Sequence, residues 1–126
     1  MTKIMLVDDE KKIRCVYKRL LTDEGYEVTE AATAREATDK LLVDKVDLVL
    51  LDLNMPEIDG AQMIDIVKVY DFKFKVIVAS VCPLDEQKKR IPRADGYFDK
   101  SEGMDVLLGK IKEVIKSVPY EKNINY

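Results

Sequence analysis

Four short apolar runs each end on polar residues of the kind that handle phosphate or metal. Ile4-Met5-Leu6-Val7 runs into Asp8 and Asp9, and Leu48-Val49-Leu50-Leu51 runs into Asp52. Val76-Ile77-Val78-Ala79 runs into Ser80, and Gly96-Tyr97-Phe98-Asp99 runs into Lys100. A rigid, partly desolvated carboxylate such as Asp52 can attack phosphorus and form an acyl phosphate. Adjacent carboxylates repel, so Asp8 and Asp9 beside a third acid call for a cation. Mg²⁺ favours hard oxygen donors, commonly one or two carboxylates with waters and a phosphate oxygen. On this reading Asp9 and Asp52 are direct ligands and Asp8 acts through water. Lys100 offers a point charge, and Ser80 a donated hydrogen bond, to the oxygens of a transferring phosphoryl group. Each residue alone has an ordinary role as well. Asp52 could simply turn the chain, Asp9 could cap the next helix, Ser80 could be a satisfied strand-end hydroxyl and Lys100 an exposed lysine. Their joint placement at four run ends points to one reaction.

The elements must bring these residues to one rim. Apolar runs without alternation read as strands buried on both faces, the habit of a parallel sheet covered by helices. The order predicts strands over 3–7, 26–30, 47–51, 75–79 and 96–99. Helices are predicted from Asp9 to about Glu24, from Thr33, over about 59–70, over about 84–91 and from about Glu102 to Ser117. Ile13, Val16, Tyr17, Leu20 and Leu21 form the apolar stripe of the first helix, and Gly25 is its stop. Thr33-Ala34-Arg35-Glu36 reads as a capping box opening a helix that carries Ala37, Leu41 and Leu42 inward. Met63, Ile66, Val67 and Tyr70 share one face of the third helix. The segment 84–91 is short and highly charged, closed by Pro92, and reads as a short or irregular fourth helix. Leu107, Leu108, Ile111, Val114 and Ile115 are the stripe of the last helix. Residues 1–118 read as one domain and 119–126 as a tail. Alternating strands and helices imply an α/β fold with right-handed crossovers, in which chemistry gathers at the carboxyl ends of the strands.

Composition removes many alternatives. The chain has 126 residues, enough for one domain, with 47% hydrophobic and 36% charged residues. A net charge of −3 gives no basic surplus for nucleic acid, so no direct nucleic-acid binding is expected. The one local basic cluster, Lys88-Lys89-Arg90 with Arg93, reads as a solvated face. No histidine is present, which excludes imidazole-based acid–base catalysis, imidazole zinc sites and a phosphohistidine of its own. Two cysteines in unrelated settings, with no export signal and no apolar run of membrane-spanning length, predict reduced thiols in the cytoplasm.

Asp8-Asp9, the stretch Asp52-Leu-Asn-Met-Pro-Glu-Ile-Asp-Gly60, Ala79-Ser80 and Gly96-Tyr97-Phe98-Asp99-Lys100 together resemble a response-regulator receiver domain. The resemblance runs from about residue 3 to 117. It implies a flavodoxin-like (βα)5 fold, with the parallel sheet in order 2-1-3-4-5 and helices on both faces. It further implies that Asp52 accepts a phosphoryl group from a phosphohistidine of a sensor histidine kinase or histidine phosphotransfer protein. Mg²⁺ would be held by Asp9, Asp52 and the Asn54 carbonyl, with Asp8 assisting. Ser80 and Tyr97 match the family's switch pair, the hydroxyl moving to the phosphate as the aromatic turns inward. The face made by the helix near 84–91, the strand 96–99 and the last helix would bind a downstream target protein. The chain departs from the family at Val81, where a small residue is usual, and at Cys82, where a longer polar side chain often orients water. Slow loss of the phosphoryl group is therefore expected. Ser101 replaces the usual proline after the lysine and suits the N-cap of the last helix. A signalling module rather than an enzyme acting on a separate substrate is expected. Two alternatives stay open: a receiver cut from a longer DNA-binding or enzymatic regulator, and an aspartate-dependent phosphotransferase or phosphatase. The latter usually needs a second acid where Asn54 stands.

Overall fold

The central strands are almost wholly apolar, and a sheet buried on both faces must be covered on both. The computed structural model describes residues 1–53, 74–92 and 94–116. In chain order the elements are β1 (Lys3–Val7), α1 (Lys11–Asp23), β2 (Glu27–Ala31), α2 (Ala34–Val43), β3 (Leu48–Asp52), β4 (Lys75–Ser80), α3 (Leu84–Arg90), β5 (Gly96–Asp99) and α4 (Met104–Lys116). The sheet is wholly parallel, as the apolar runs predicted, and its order β2-β1-β3-β4-β5 is the one the family resemblance implied. The helix predicted over about 59–70, with Met63, Ile66, Val67 and Tyr70, lies outside the described residues. So do Asn54 and the tail 119–126.

Successive strand residues point to opposite faces, which divides the core in two. Ile4, Leu6, Leu48, Leu50, Ile77, Ala79 and Phe98 pack against Tyr17 and Leu21 of α1 and Leu107, Ile111 and Val114 of α4. Met5, Val7, Val49, Leu51, Val76 and Val78 pack against Ala34, Ala37 and Leu41 of α2 and against Ile91. Burying one such aliphatic side chain fully stabilises by about 1.5–3 kcal/mol.

Gly25 has φ +93°, and the N–H groups of Gly25 and Tyr26 return to the carbonyls of Thr22 and Leu21 at 3.0 and 3.1 Å. This left-handed stop ends α1, as the sequence indicated. The Thr33 hydroxyl accepts the Glu36 N–H at 3.0 Å, and the Glu36 carboxylate accepts the Ala32 N–H at 2.6 Å. The capping box at α2 therefore forms, shifted by one residue on its return bond.

Four local expectations are corrected. Val16 and Leu42 are each 55% exposed. Each follows or precedes a buried neighbour (Tyr17, Leu41) and is turned about 100° away from it around the helix axis. Asp9 does not cap α1: the N-cap is Glu10, without a side-chain cap bond. Asp8 supplies the acceptor instead, its Oδ1 taking the Glu10 N–H at 2.9 Å. Ser101 does not cap the last helix either, because α4 begins at Met104. The Asp99 carboxylate accepts both the Ser101 N–H and its hydroxyl, at 2.9 and 2.8 Å, and holds Ser101 in the preceding turn.

Candidate functional site

Each strand ends at the same rim. Asp8 follows β1, Asp52 closes β3, Ser80 closes β4 and Lys100 follows β5. The register pairs Asp52 with Ala79 and Ser80 with Asp99, so the ends of β3, β4 and β5 lie side by side. Lys100 Nζ sits 2.8 Å from Asp8 Oδ2 and 3.6 Å from Asp52 Oδ1. Asp8 and Asp52 are only 6% and 7% exposed, and Ser80 is fully buried. The lysine thus bridges two carboxylates that would otherwise repel. Burial works against its charge, but the hydrogen bond to Asp8 and the charges of Asp52 and Asp8 outweigh that and hold Lys100 above its ordinary 10.5.

Local chemistry explains the lysine's direction. The Asp99 carboxylate, drawn below its usual range by the Ser101 N–H and then its hydroxyl, ties a turn immediately after Lys100. The Lys100 N–H donates to the Ser80 carbonyl at 2.8 Å, which continues the β4–β5 pairing by one residue. Lys100 is therefore fixed by its backbone to Ser80 and by its side chain to Asp8 and Asp52.

Asp9 is exposed at the mouth of the rim, and its carboxylate lies within 4.8 Å of those of Asp8 and Glu10. Three hard oxygen donors in that space suit a divalent cation such as Mg²⁺ or Ca²⁺. Glu10 was not singled out by sequence; the uninterrupted run Asp8-Asp9-Glu10 was the signal. Arg14 and Tyr17 were likewise missed. Arg14 donates from Nη1 to the Asp8 carbonyl at 2.6 Å and from Nε to Glu30 Oε1 at 3.2 Å, which joins the ends of β1 and β2. Tyr17 reaches a narrow cavity beneath the carboxylates, lined also by Asp8, Ile13, Arg14, Asp52 and Ala79. Burial pushes the Tyr17 phenol above its ordinary 10.0, Lys100 opposes the shift, and Asp8 and Asp52 add to it.

Tyr97 stands apart from the rim. It is half-buried beside Ile91 and Ala94, and its hydroxyl donates to the Ile91 carbonyl at the end of α3. Lys88 Nζ lies 5.8 Å above its ring centre. Burial pushes the Tyr97 phenol up as well.

Over residues 4–112 the sequence matches the family model of the response regulator receiver domain. The chain belongs to that family. Among relatives of this receiver, the sporulation initiation phosphotransferase F of Bacillus subtilis is 37% identical over 76 residues, 60% of this chain and 61% of that one. The transcriptional regulatory protein YxdJ of the same organism is 31% identical over 117 residues, 92% of this chain and 51% of that one. The receiver thus spans between about half and two thirds of those curated relatives. The crystal structure of the response regulator protein TrrA of Thermotoga maritima, in complex with Mg²⁺ and BeF, superimposes with a TM-score of 0.83 at 33% identity. It covers 90% of this chain and 99% of that one. As a receiver, the chain is a module of two-component signalling. Among the described residues, no helix is long and apolar enough to cross a membrane.

Proposed function

We propose that Asp52 is the phospho-acceptor. A carboxylate oxygen of Asp52 attacks the phosphorus of a phosphohistidine on a kinase or phosphotransfer protein. The P–N bond breaks, its electron pair stays on the imidazole, and that ring takes a proton from water. The acyl phosphate so formed has more negative charge than the carboxylate it replaces. Lys100, already pinned beside Asp52, balances one phosphoryl oxygen, and the Ser80 hydroxyl donates to another. The observation that carries this reading is the Lys100 ammonium held between Asp8 and Asp52 at 2.8 and 3.6 Å.

Asp8 and Asp9, with Asp52 and the Asn54 carbonyl, are the residues that would hold Mg²⁺, and Glu10 lies within 4.8 Å of the Asp8 and Asp9 carboxylates. When bound, the cation supplies further neutralisation of phosphoryl charge. The module does not turn over a separate substrate: it carries the phosphoryl group as a signal. The rise in charge beside Ser80 biases the loop after β4 and, through it, Tyr97 and the face formed by α3, β5 and α4, where a target protein binds. Cys15 and Cys82, neither of them in a disulfide, suit work in the reducing cytoplasm. A receiver within a longer regulator is the second reading, supported by the relative YxdJ, of which the matched part is 51%.

Intact mass after incubation with acetyl phosphate and Mg²⁺ tests the main reading. Wild type is expected to gain one phosphoryl group and Asp52→Asn none. Absence of an adduct on wild type with any small donor refutes it, as does an equal adduct on Asp52→Asn.

A further inference from the structure

Gln87, in the middle of α3, is fully buried in a helix whose Asp85, Glu86, Lys88, Lys89 and Arg90 are all exposed. Its carboxamide nitrogen donates to the carbonyls of Cys82 at 2.8 Å, Phe98 at 3.0 Å and Ser80 at 3.4 Å. These belong to the loop after β4, to β5 and to the last residue of β4. A carboxamide nitrogen carries two hydrogens, so three acceptors share them. The carboxamide oxygen, also buried, has no hydrogen-bond partner among the described residues. Turning the amide over would set that oxygen against three carbonyl oxygens, so its orientation is fixed. The gain from the donated bonds is offset in part by the unpaired acceptor.

The same few atoms surround the chemistry. The Ser80 carbonyl that Gln87 reaches also accepts the Lys100 N–H at 2.8 Å, and the Ser80 hydroxyl accepts the Cys82 N–H at 3.2 Å. The loop between Ser80 and α3 is only Val81-Cys82-Pro83, and the N-cap residue Pro83 makes no side-chain cap bond. Displacing Ser80 and its loop therefore stretches the bonds to the Ser80 and Cys82 carbonyls, while the bond to Phe98 keeps Gln87 on β5.

Building on the phospho-acceptor reading above, we infer that Gln87 is a positioning residue: its amide latches the Ser80–Cys82 loop to β5 in the resting position and resists the approach of the Ser80 hydroxyl to a phosphoryl group. The latch is shallow, because the orphaned oxygen weakens the state that the three donated bonds favour.

The full chain with Gln87→Met, close in length and volume but without the amide, tests this. In Mg²⁺, beryllofluoride serves as the phosphoryl mimic. It is expected to bind the variant about fivefold more tightly than wild type, the equivalent of one hydrogen bond of about 1 kcal/mol. Without beryllofluoride, the Cys82 amide of the variant is expected to exchange with solvent faster, and the amides of Leu48 to Leu51 at the wild-type rate. A merely structural role loosens the helix without tightening the mimic. Equal or weaker beryllofluoride affinity in the variant overturns the inference, whatever the exchange rates. If wild type itself fails to bind beryllofluoride, the phospho-acceptor reading falls. The inference falls with it, because a latch against a phosphoryl contact then has nothing to oppose. Should the Met variant not fold, Gln87→Asn, whose amide is one methylene short, is read by the same two measurements with the same expected directions.

Discussion

Replacing Lys100 by Met removes the ammonium from between two buried carboxylates. Its distances of 2.8 and 3.6 Å correspond to gross attractions of about 5–6 kcal/mol each at an effective dielectric of about 20. Burying three ions takes back most of that, and deleting one partner of a fully buried pair typically costs about 3–5 kcal/mol. The rim opens to water on one side, so a loss of about 2–3 kcal/mol is expected, or about 6–12 °C in thermal midpoint for a chain of this size. Unfolding followed by circular dichroism in EDTA measures it. Saturating Mg²⁺ is expected to restore more stability to the variant than it adds to wild type, because a divalent cation can balance Asp8 and Asp52 in the ammonium's absence. The pH dependence has a definite sign. The folded value of Lys100 is raised, so its contribution is complete below the ordinary 10.5 and is lost as pH climbs through the higher folded value. The wild-type and variant stabilities therefore converge in strong alkali. A variant as stable as wild type in EDTA at neutral pH would refute the reasoning. So would a double variant, Lys100→Met with Asp8→Asn, that regains nothing over the single one.

Three further outcomes are expected. Gly25→Ala places a side chain at φ +93°, where nothing crowds it but the backbone conformation is strained; it should cost about 1–2 kcal/mol, read by urea unfolding. Cys82→Glu places a water-orienting carboxylate beside the phosphorylated site and should speed loss of the acyl phosphate about tenfold, well short of a full general base. Unchanged decay of the phosphorylated mass peak would remove Cys82 from the account. In a spectrophotometric titration, the Tyr17 and Tyr97 phenols should ionise above 10.0, and Tyr17→Phe or Tyr97→Phe should each delete one late-titrating phenol. Both raised values favour the folded state up to the ordinary phenol range and withdraw that support as pH rises through the folded values.

The strands and the rim were legible because each rests on short-range signals. A run such as Leu48 to Leu51 reports burial on both faces, and the polar residue that ends it reports the strand's carboxyl end. What stayed hidden depends on partners distant in sequence. Gln87 sits among charges and reads as solvated, yet three carbonyls from β4, its loop and β5 draw it inside. Arg14 reads as one more helical cation, but the Asp8 carbonyl and the Glu30 carboxylate hold it at the rim. Val16 and Leu42 failed for a different reason: an apolar stripe fixes a helix face only to within one residue's rotation. At Asp9 and Ser101, two plausible caps lost to neighbouring carboxylates, those of Asp8 and Asp99, that already held the local N–H groups.

The short helix α3 has a thermal consequence. Its outward side chains are charged, Ile91 at its end is buried, and its attachments among the described residues include Gln87 and the Tyr97 hydroxyl on the Ile91 carbonyl. Shifting it uncovers amide and carbonyl surface along with a little hydrocarbon, and these change the heat capacity in opposite directions. If the proposed switch moves α3, the equilibrium between its positions should therefore follow a straighter van't Hoff line than the curved stability of the sheet beneath it. A signal read out through α3 would then keep nearly the same enthalpy of switching across the temperatures at which the domain stays folded.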